Sequence, residues 1–249
     1  MSKLSRSAAI PFLIFAVLLL ATTSRAQTRP PELEKLAKTF GLDSFGQIEA
    51  IRYTFNAQLP GLKLNISRSW EWEPKTGKVS YESKDKDGKP VKATYVRSQV
   101  SSAPANVKDD IDPAFNNDNY WLIFPFHAYW DTSANVEVKD KQKLPLGKGT
   151  ATLISIKYPA ELGGYTPGDT WDLYIGPEDR VQEFLFRHGG SAKPSLVIAT
   201  WAGYKKAGPL LVSTEHRGTA DGGPFHLSFT NVAVKLAGSD KWMDALPAK

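Results

Sequence analysis

The sequence predicts a mainly antiparallel β domain with a few helices, a sandwich or barrel of α+β type. Three observations predict it. From Ile48 onward apolar and polar residues alternate with a period of two. Roughly nine to eleven such segments follow at short spacing, separated by Gly, Pro, Asn and Asp. Helical periodicity is confined to the start, the middle and the end, and no repeat of 20 to 50 residues is visible, which argues against propellers and solenoids.

The chain has 249 residues and no cysteine. Residues 1–26 read as a secretory signal peptide: Lys3 and Arg6 precede an apolar run, and Ser24-Arg25-Ala26 offers a small-residue cleavage site. That run is short for a spanning helix, which needs about 20 residues. Cleavage near Ala26 predicts a periplasmic or secreted protein with no integral membrane segment. A single domain, residues 27–249, remains. Losing Lys3, Arg6 and Arg25 lowers the formal charge from +5 to 5 − 3 = +2, so charge gives no reason to expect nucleic acid as a partner. Without disulfides, the core alone must stabilise the fold.

In chain order, Pro30-Pro31 opens a helix whose stripe is Leu33, Leu36, Ala37 and Phe40, with Gly41 as a left-handed cap. Ile51, Tyr53, Phe55 and Ala57 then alternate with polar residues. Ile66, Trp70 and Trp72 share the next apolar face. Turns at 74–77 and 87–88 continue a meander with one wet face. Residues 101–118 read as a polar loop with room for one helical turn, in which Asp109, Asp110 and Asp112 form a solvated acidic turn and Asn117 and Asp118 are candidate caps for a helix from Asn119. Residues 119–131, NYWLIFPFHAYWD, form the most aromatic stretch of the chain. Because Pro125 disfavours helix at Phe124, this stretch is expected to be a short helix that becomes extended. A lysine-rich loop through Lys143 follows. Strands are then expected around Ile154, Leu173, Phe184, residues 195–201, 210–217 and 225–236, with a closing helix or turn at 240–246 and loose ends at 27–31 and 246–249.

The order of these motifs resembles the periplasmic lipoprotein-carrier, or LolA-like, superfamily. The residues that carry the resemblance are Trp70 and Trp72, the N-Y-W-L-x-F-P-F of residues 119–126, and the W-D-L-Y-I-x-P of residues 171–177. The resemblance implies a curved, incompletely closed half-barrel whose concave face is covered by helices and bounds an apolar cavity. It implies an apolar or acylated ligand, such as a lipid or a lipoprotein acyl chain, no cofactor or metal, and a non-catalytic monomer. The residues expected to line the cavity are Trp70, Trp72, Trp121, Phe124, Phe126, Trp130, Trp171, Phe184 and Phe186. An envelope protein or lipoprotein is a further candidate partner. Two alternatives stand beside this: a structural or signalling module of the envelope with a filled core, and a hydrolase whose site assembles only in three dimensions.

Other chemistry finds little support. No zinc spacing, nucleophile elbow, P-loop or dinucleotide fingerprint occurs. Asp85-Lys86-Asp87-Gly88 lacks the Glu that ends a calcium loop and reads as a turn. Glu215 and His216 point to opposite faces of a strand. A loop symmetric about Asp221 would set His216 opposite His226.

Overall fold

The computed structural model describes residues 29–161, 166–189 and 195–248; the expected signal peptide and cleavage site lie outside them. Helix α1 (Pro31–Thr39) carries Glu32 and Glu34 in its first turn and Lys38 in its last, matching the helix dipole. Leu33, Leu36 and Ala37 form its buried stripe. Gly41 follows with φ 105°. A Cβ there would lie 2.5 Å from the Pro209 carbonyl oxygen, so only glycine fits.

Among the described residues, fourteen strands form one antiparallel sheet: β1 (Ile48–Leu59), β2 (Leu64–Glu73), β3 (Lys78–Lys84), β4 (Pro90–Val96), β5 (Asn135–Lys143), β6 (Thr150–Lys157), β7 (Thr170–Ile175), β8 (Val181–Arg187), β9 (Leu196–Thr200), β10 (Ala202–Ala207), β11 (Leu210–Ala220), β12 (Gly223–Leu236), β13 (Trp242–Asp244) and β14 (Leu246–Pro247). The continuous path is β4-β3-β2-β1-β12-β11-β9-β8-β7-β6-β5. Within it β4-β3-β2-β1 is the predicted meander, and β10, β13 and β14 attach beside the path. The sheet is curved and unclosed, with β4 and β5 as its ends, which is the half-barrel that the motifs imply.

Several local expectations are corrected. The lysine-rich segment before Lys143 is not a loop but the end strand β5, bulged between Lys139 and Gln142 with Lys141 at φ 52°. Charge and a bulge are what keep an exposed edge from pairing with another chain. Residues 240–246 are not helical: β13 pairs with β12 and β14 with β10. The C-terminal end is therefore tied down, and Ala248 N–H donates to the Tyr204 carbonyl.

The larger correction concerns the middle of the chain. Residues 105–130 are helical: a π-turn (Val107–Ile111) runs into helix α2 (Asp112–Trp130). The aromatic stretch does break, at Ile123 (φ −124°, ψ 30°), two residues before Pro125. It then resumes as helix instead of becoming extended, because Pro125 falls in the first turn of the second piece, where its missing N–H leaves no bond unmade. Helix α2 is polar in its first two turns and apolar from Tyr120 on, with most of its residues buried, and it occupies the hollow of the sheet.

Its neighbours on the two sides differ. Toward β2, Phe115 packs on Trp70 and Trp72, with ring centroids at 5.5 and 5.9 Å. Asp118, 0 % exposed, accepts Arg68 Nε at 2.8 Å, Arg68 Nη2 at 2.6 Å and the Trp70 indole N–H at 2.8 Å. Asp112, expected in solvent, is buried and accepts the Tyr95 hydroxyl at 2.9 Å and Arg97 Nε at 3.3 Å. Toward β7 and β8, Trp121 meets Trp171 at 4.8 Å and Phe184 at 5.5 Å.

Removing one partner of a buried ion pair leaves the other uncompensated. Asp118→Ala is expected to lower the unfolding free energy by about 3 kcal/mol, and the joint Arg68→Met, Asp118→Leu replacement by less. Urea denaturation midpoints of the two variants check this.

Candidate functional site

The hollow of the sheet is not completely filled. A cleft of about 450 Å³ remains between the first half of α2 and strands β7 and β8. From the helix it is lined by Pro113, Asn116, Asn117, Tyr120 and Trp121. These fall at i, i+3, i+4, i+7 and i+8, one helix face. The polar members come first and the aromatic ones last, so the cleft grades from a polar mouth to an aromatic floor.

The sheet wall repeats that gradient. Leu173 pairs with Phe184 and Trp171 with Phe186 in the β7–β8 register. Two residues further along the same face stand Asp169 and His188. His188 Nδ1 lies 3.0 Å from Asp169 Oδ1, which also accepts the Gly189 N–H at 2.7 Å. Burial pushes the Asp169 carboxyl up from its usual range, opposed by the Gly189 N–H and by His188. Thr166 and Ser195 complete the mouth.

The nine aromatic residues expected at a cavity are distributed as follows. Trp121, Trp171 and Phe186 line the cleft. Phe124 stacks on Trp171 at 4.1 Å, and Phe184 lies behind Trp121, 5.3 Å from Trp201; both are fully buried. Phe126 packs on Phe45 at 5.1 Å beyond the kink. Trp130, 37 % exposed, covers the other side of Phe45 at 4.8 Å. Trp70 and Trp72 face Phe115 in the other half of the sheet. Asp169, His188, Asn116 and Asn117 were not singled out from the sequence. The readable signal for the first two was the hairpin register: extending the Trp171–Phe186 pair by two residues reaches them.

A larger hollow of about 700 Å³ lies on the outer face of β1–β4. Its polar groups satisfy one another: Arg52 with Asp244 at 3.0 Å, Lys92 with Glu82 at 3.1 Å, and Thr54 with Ser69 at 2.9 Å. It is the wet side of the meander, lined mostly by charged, hydroxyl and amide side chains.

The histidines stand apart in role. His216 does not face His226. The β11–β12 turn is the two-residue Asp221-Gly222, both at positive φ, so Ala220 pairs with Gly223 and His216 with Leu227. A shift of one residue moves a side chain to the opposite face. His226 therefore stands outside, 2.9 Å from Glu215 Oε2. His216 is 0 % exposed inside a cage of Trp121, Phe184, Trp201 and Phe229. Its Nδ1 donates to the Thr200 carbonyl at 3.2 Å, while its Nε2 is buried with no hydrogen-bond partner among the described residues. Burial holds its pKa down at about 3. His127, stacked on Tyr120 at 3.9 Å, is pushed down as well, again by burial.

The Asp169–His188 pair has no hydroxyl nucleophile on its ring among the described residues. Ser195 Oγ donates instead to Asp221 Oδ2 at 2.6 Å.

His216 is neutral in the fold and titrates near 6.5 when unfolded. The unfolded chain thus binds the extra proton first as pH falls. Stability present above pH ~6.5 should decline by about 1.4 kcal/mol per pH unit between there and pH ~3. His216→Phe should remove this contribution and leave the parallel one from His127, as measured by urea midpoints across the acid range.

No family model matches the chain, and no curated protein matches it. Among the described residues, no helix is long and apolar enough to cross a membrane. Solved structures similar to this chain include a DUF1329 family protein from Desulfovibrio piger, 7 % identical with a TM-score of 0.45, covering 84 % of this chain and 94 % of that one. Another is a LolA superfamily protein from Nitrosomonas europaea, 7 % identical with a TM-score of 0.44, covering 83 % of this chain and 94 % of the other.

Proposed function

We propose that this single-domain protein works in the periplasm, after signal-peptide cleavage near Ala26, as a monomeric, non-catalytic binder or carrier of an apolar or acylated ligand. The observation that carries the reading is the cleft beside Trp121, Trp171 and Phe186. Its volume of about 450 Å³ falls within the range of small-molecule sites, about 300–1,000 Å³. Its floor is aromatic and its polar groups are gathered at the mouth, a division between affinity and orientation. The motif resemblance points to the same class of ligand, a lipid or a lipoprotein acyl chain.

Burial would supply the affinity. About ten methylenes at ~0.8 kcal/mol each give ~8 kcal/mol before the cost of ordering the chain. That gross figure is of micromolar order. No covalent step is assigned, since the one Asp–His pair in the cleft lacks a nucleophile among the described residues.

A second reading, a structural module of the envelope, is favoured by how much of the hollow α2 already fills. Phe124, Phe126 and Phe184 are fully buried in side-chain contacts. The two readings differ on whether anything enters the cleft.

Protein taken gently from the periplasm should show a bound small molecule in native mass spectrometry, and it should take up a fluorescent acyl probe. Phe186→Ala should weaken the probe about tenfold, the scale of losing one aromatic anchor. An empty protein that takes up no probe would leave the structural module.

A further inference from the structure

The geometry points to an uncharged, hydroxyl-bearing head on the ligand, received by His188 at the mouth of the cleft. This rests on the binding reading above and adds the chemistry of the ligand's polar end.

Asp169 is buried, and its carboxylate accepts both the Gly189 N–H and His188 Nδ1. An ionised carboxylate only accepts, so Nδ1 carries the imidazole proton. In the neutral ring this fixes the tautomer and leaves Nε2, on the other edge, as a hydrogen-bond acceptor. Nε2 has no partner among the described residues. The ring lines the cleft and its side chain is 60 % exposed, so an incoming group can reach it. What such a nitrogen takes is a donor, and a hydroxyl is the donor that an otherwise apolar molecule most simply carries.

The charges of the described residues around the mouth do not favour an ionic head. Among the described residues, no Lys or Arg lines the cleft. Arg97 and Arg187 stand near it but are engaged, Arg97 with Asp112 and Asn116, Arg187 with Asp172. An anionic head would meet no free cation among the described residues and would approach the Asp169 carboxylate behind the ring. A cationic head would find that carboxylate shielded by His188 and already doubly bonded. The remaining polar groups of the mouth are amides and hydroxyls, from Asn116, Asn117, Thr166 and Ser195.

The test is competition against a fluorescent apolar probe by three ligands of equal chain length: a long-chain alcohol, the matching fatty acid and the matching trimethylammonium. The native chain should favour the alcohol over each ionic analogue by at least about fivefold, the scale of one net hydrogen bond. His188→Phe keeps an aromatic ring but no acceptor. It should lose most of the preference for the alcohol, a ratio read at whatever affinity the variant has for the probe. Each preference is a ratio measured within one protein, so the folded fraction does not enter it. Equal or better displacement by the fatty acid or the ammonium would overturn the assignment, as would an unchanged ratio in His188→Phe. Either result with the probe still bound would leave the binding function standing. Failure of every apolar probe to bind would overturn both.

Discussion

The position of one carboxylate governs the architecture. Asp118 sits on a helix buried within a curved sheet, where an unpaired charge would be untenable. It is held by both nitrogens of a forked Arg68 contact and by the Trp70 indole. Arg68 in turn stands on the apolar face of β2, between Ile66 and Trp70, where an arginine has no place unless something meets it. Each residue makes the other's position acceptable, and together they set the rotation of α2 in the hollow. With Asp118 and Phe115 turned to β2, the face at 113, 116, 117, 120 and 121 must turn to β7 and β8. The cleft exists where that second face is polar and narrow at its start and fills only when it reaches Tyr120 and Trp121.

The break at Ile123 completes the arrangement. A straight helix of 19 residues would be about 28 Å long. The sheet beneath it is curved, and the chain bends once to follow it. Before the bend the helix lines the cleft. After it, Phe126 and Trp130 close over Phe45, beside the end of α1. The proline that makes the bend also starts the second piece, so the turn costs little hydrogen bonding.

Much of the fold was legible because its signals are local. Alternation placed β1–β4, β7 and β8, and the Pro-Pro start and Gly41 bounded α1. The helical identity of 105–118 was not legible, since its charged residues look like a loop until Tyr95 and Arg97 are known to receive Asp112. Strand β5 hid behind its lysines, which serve the sheet's exposed end. His216 was misplaced by a single residue of register, although Asp221-Gly222 carries the signature of a two-residue turn. The site was readable in part. Aromatic content announced Trp121, Trp171 and Phe186 but could not separate them from Phe124, Phe126 and Phe184, which look identical in sequence and lie in the closed core. The Asp169–His188 pair was one step of register beyond residues already aligned.

Core and cleft wall are made of the same material here, and the difference between them is a matter of what stands opposite. Along the β7–β8 ladder the inner pairs run Leu173–Phe184, Trp171–Phe186, then Asp169 with His188. Along α2 the facing positions run Trp121, Tyr120, then Asn117 and Asn116. At the closed end, aromatic meets aromatic and dispersion contacts are complete. At the open end both sides turn polar together, so neither can close on the other without burying unpaired donors and acceptors, at about 1–3 kcal/mol per group. The cleft is therefore held open by chemistry on both walls, and the apolar surface just inside it is what a ligand would cover.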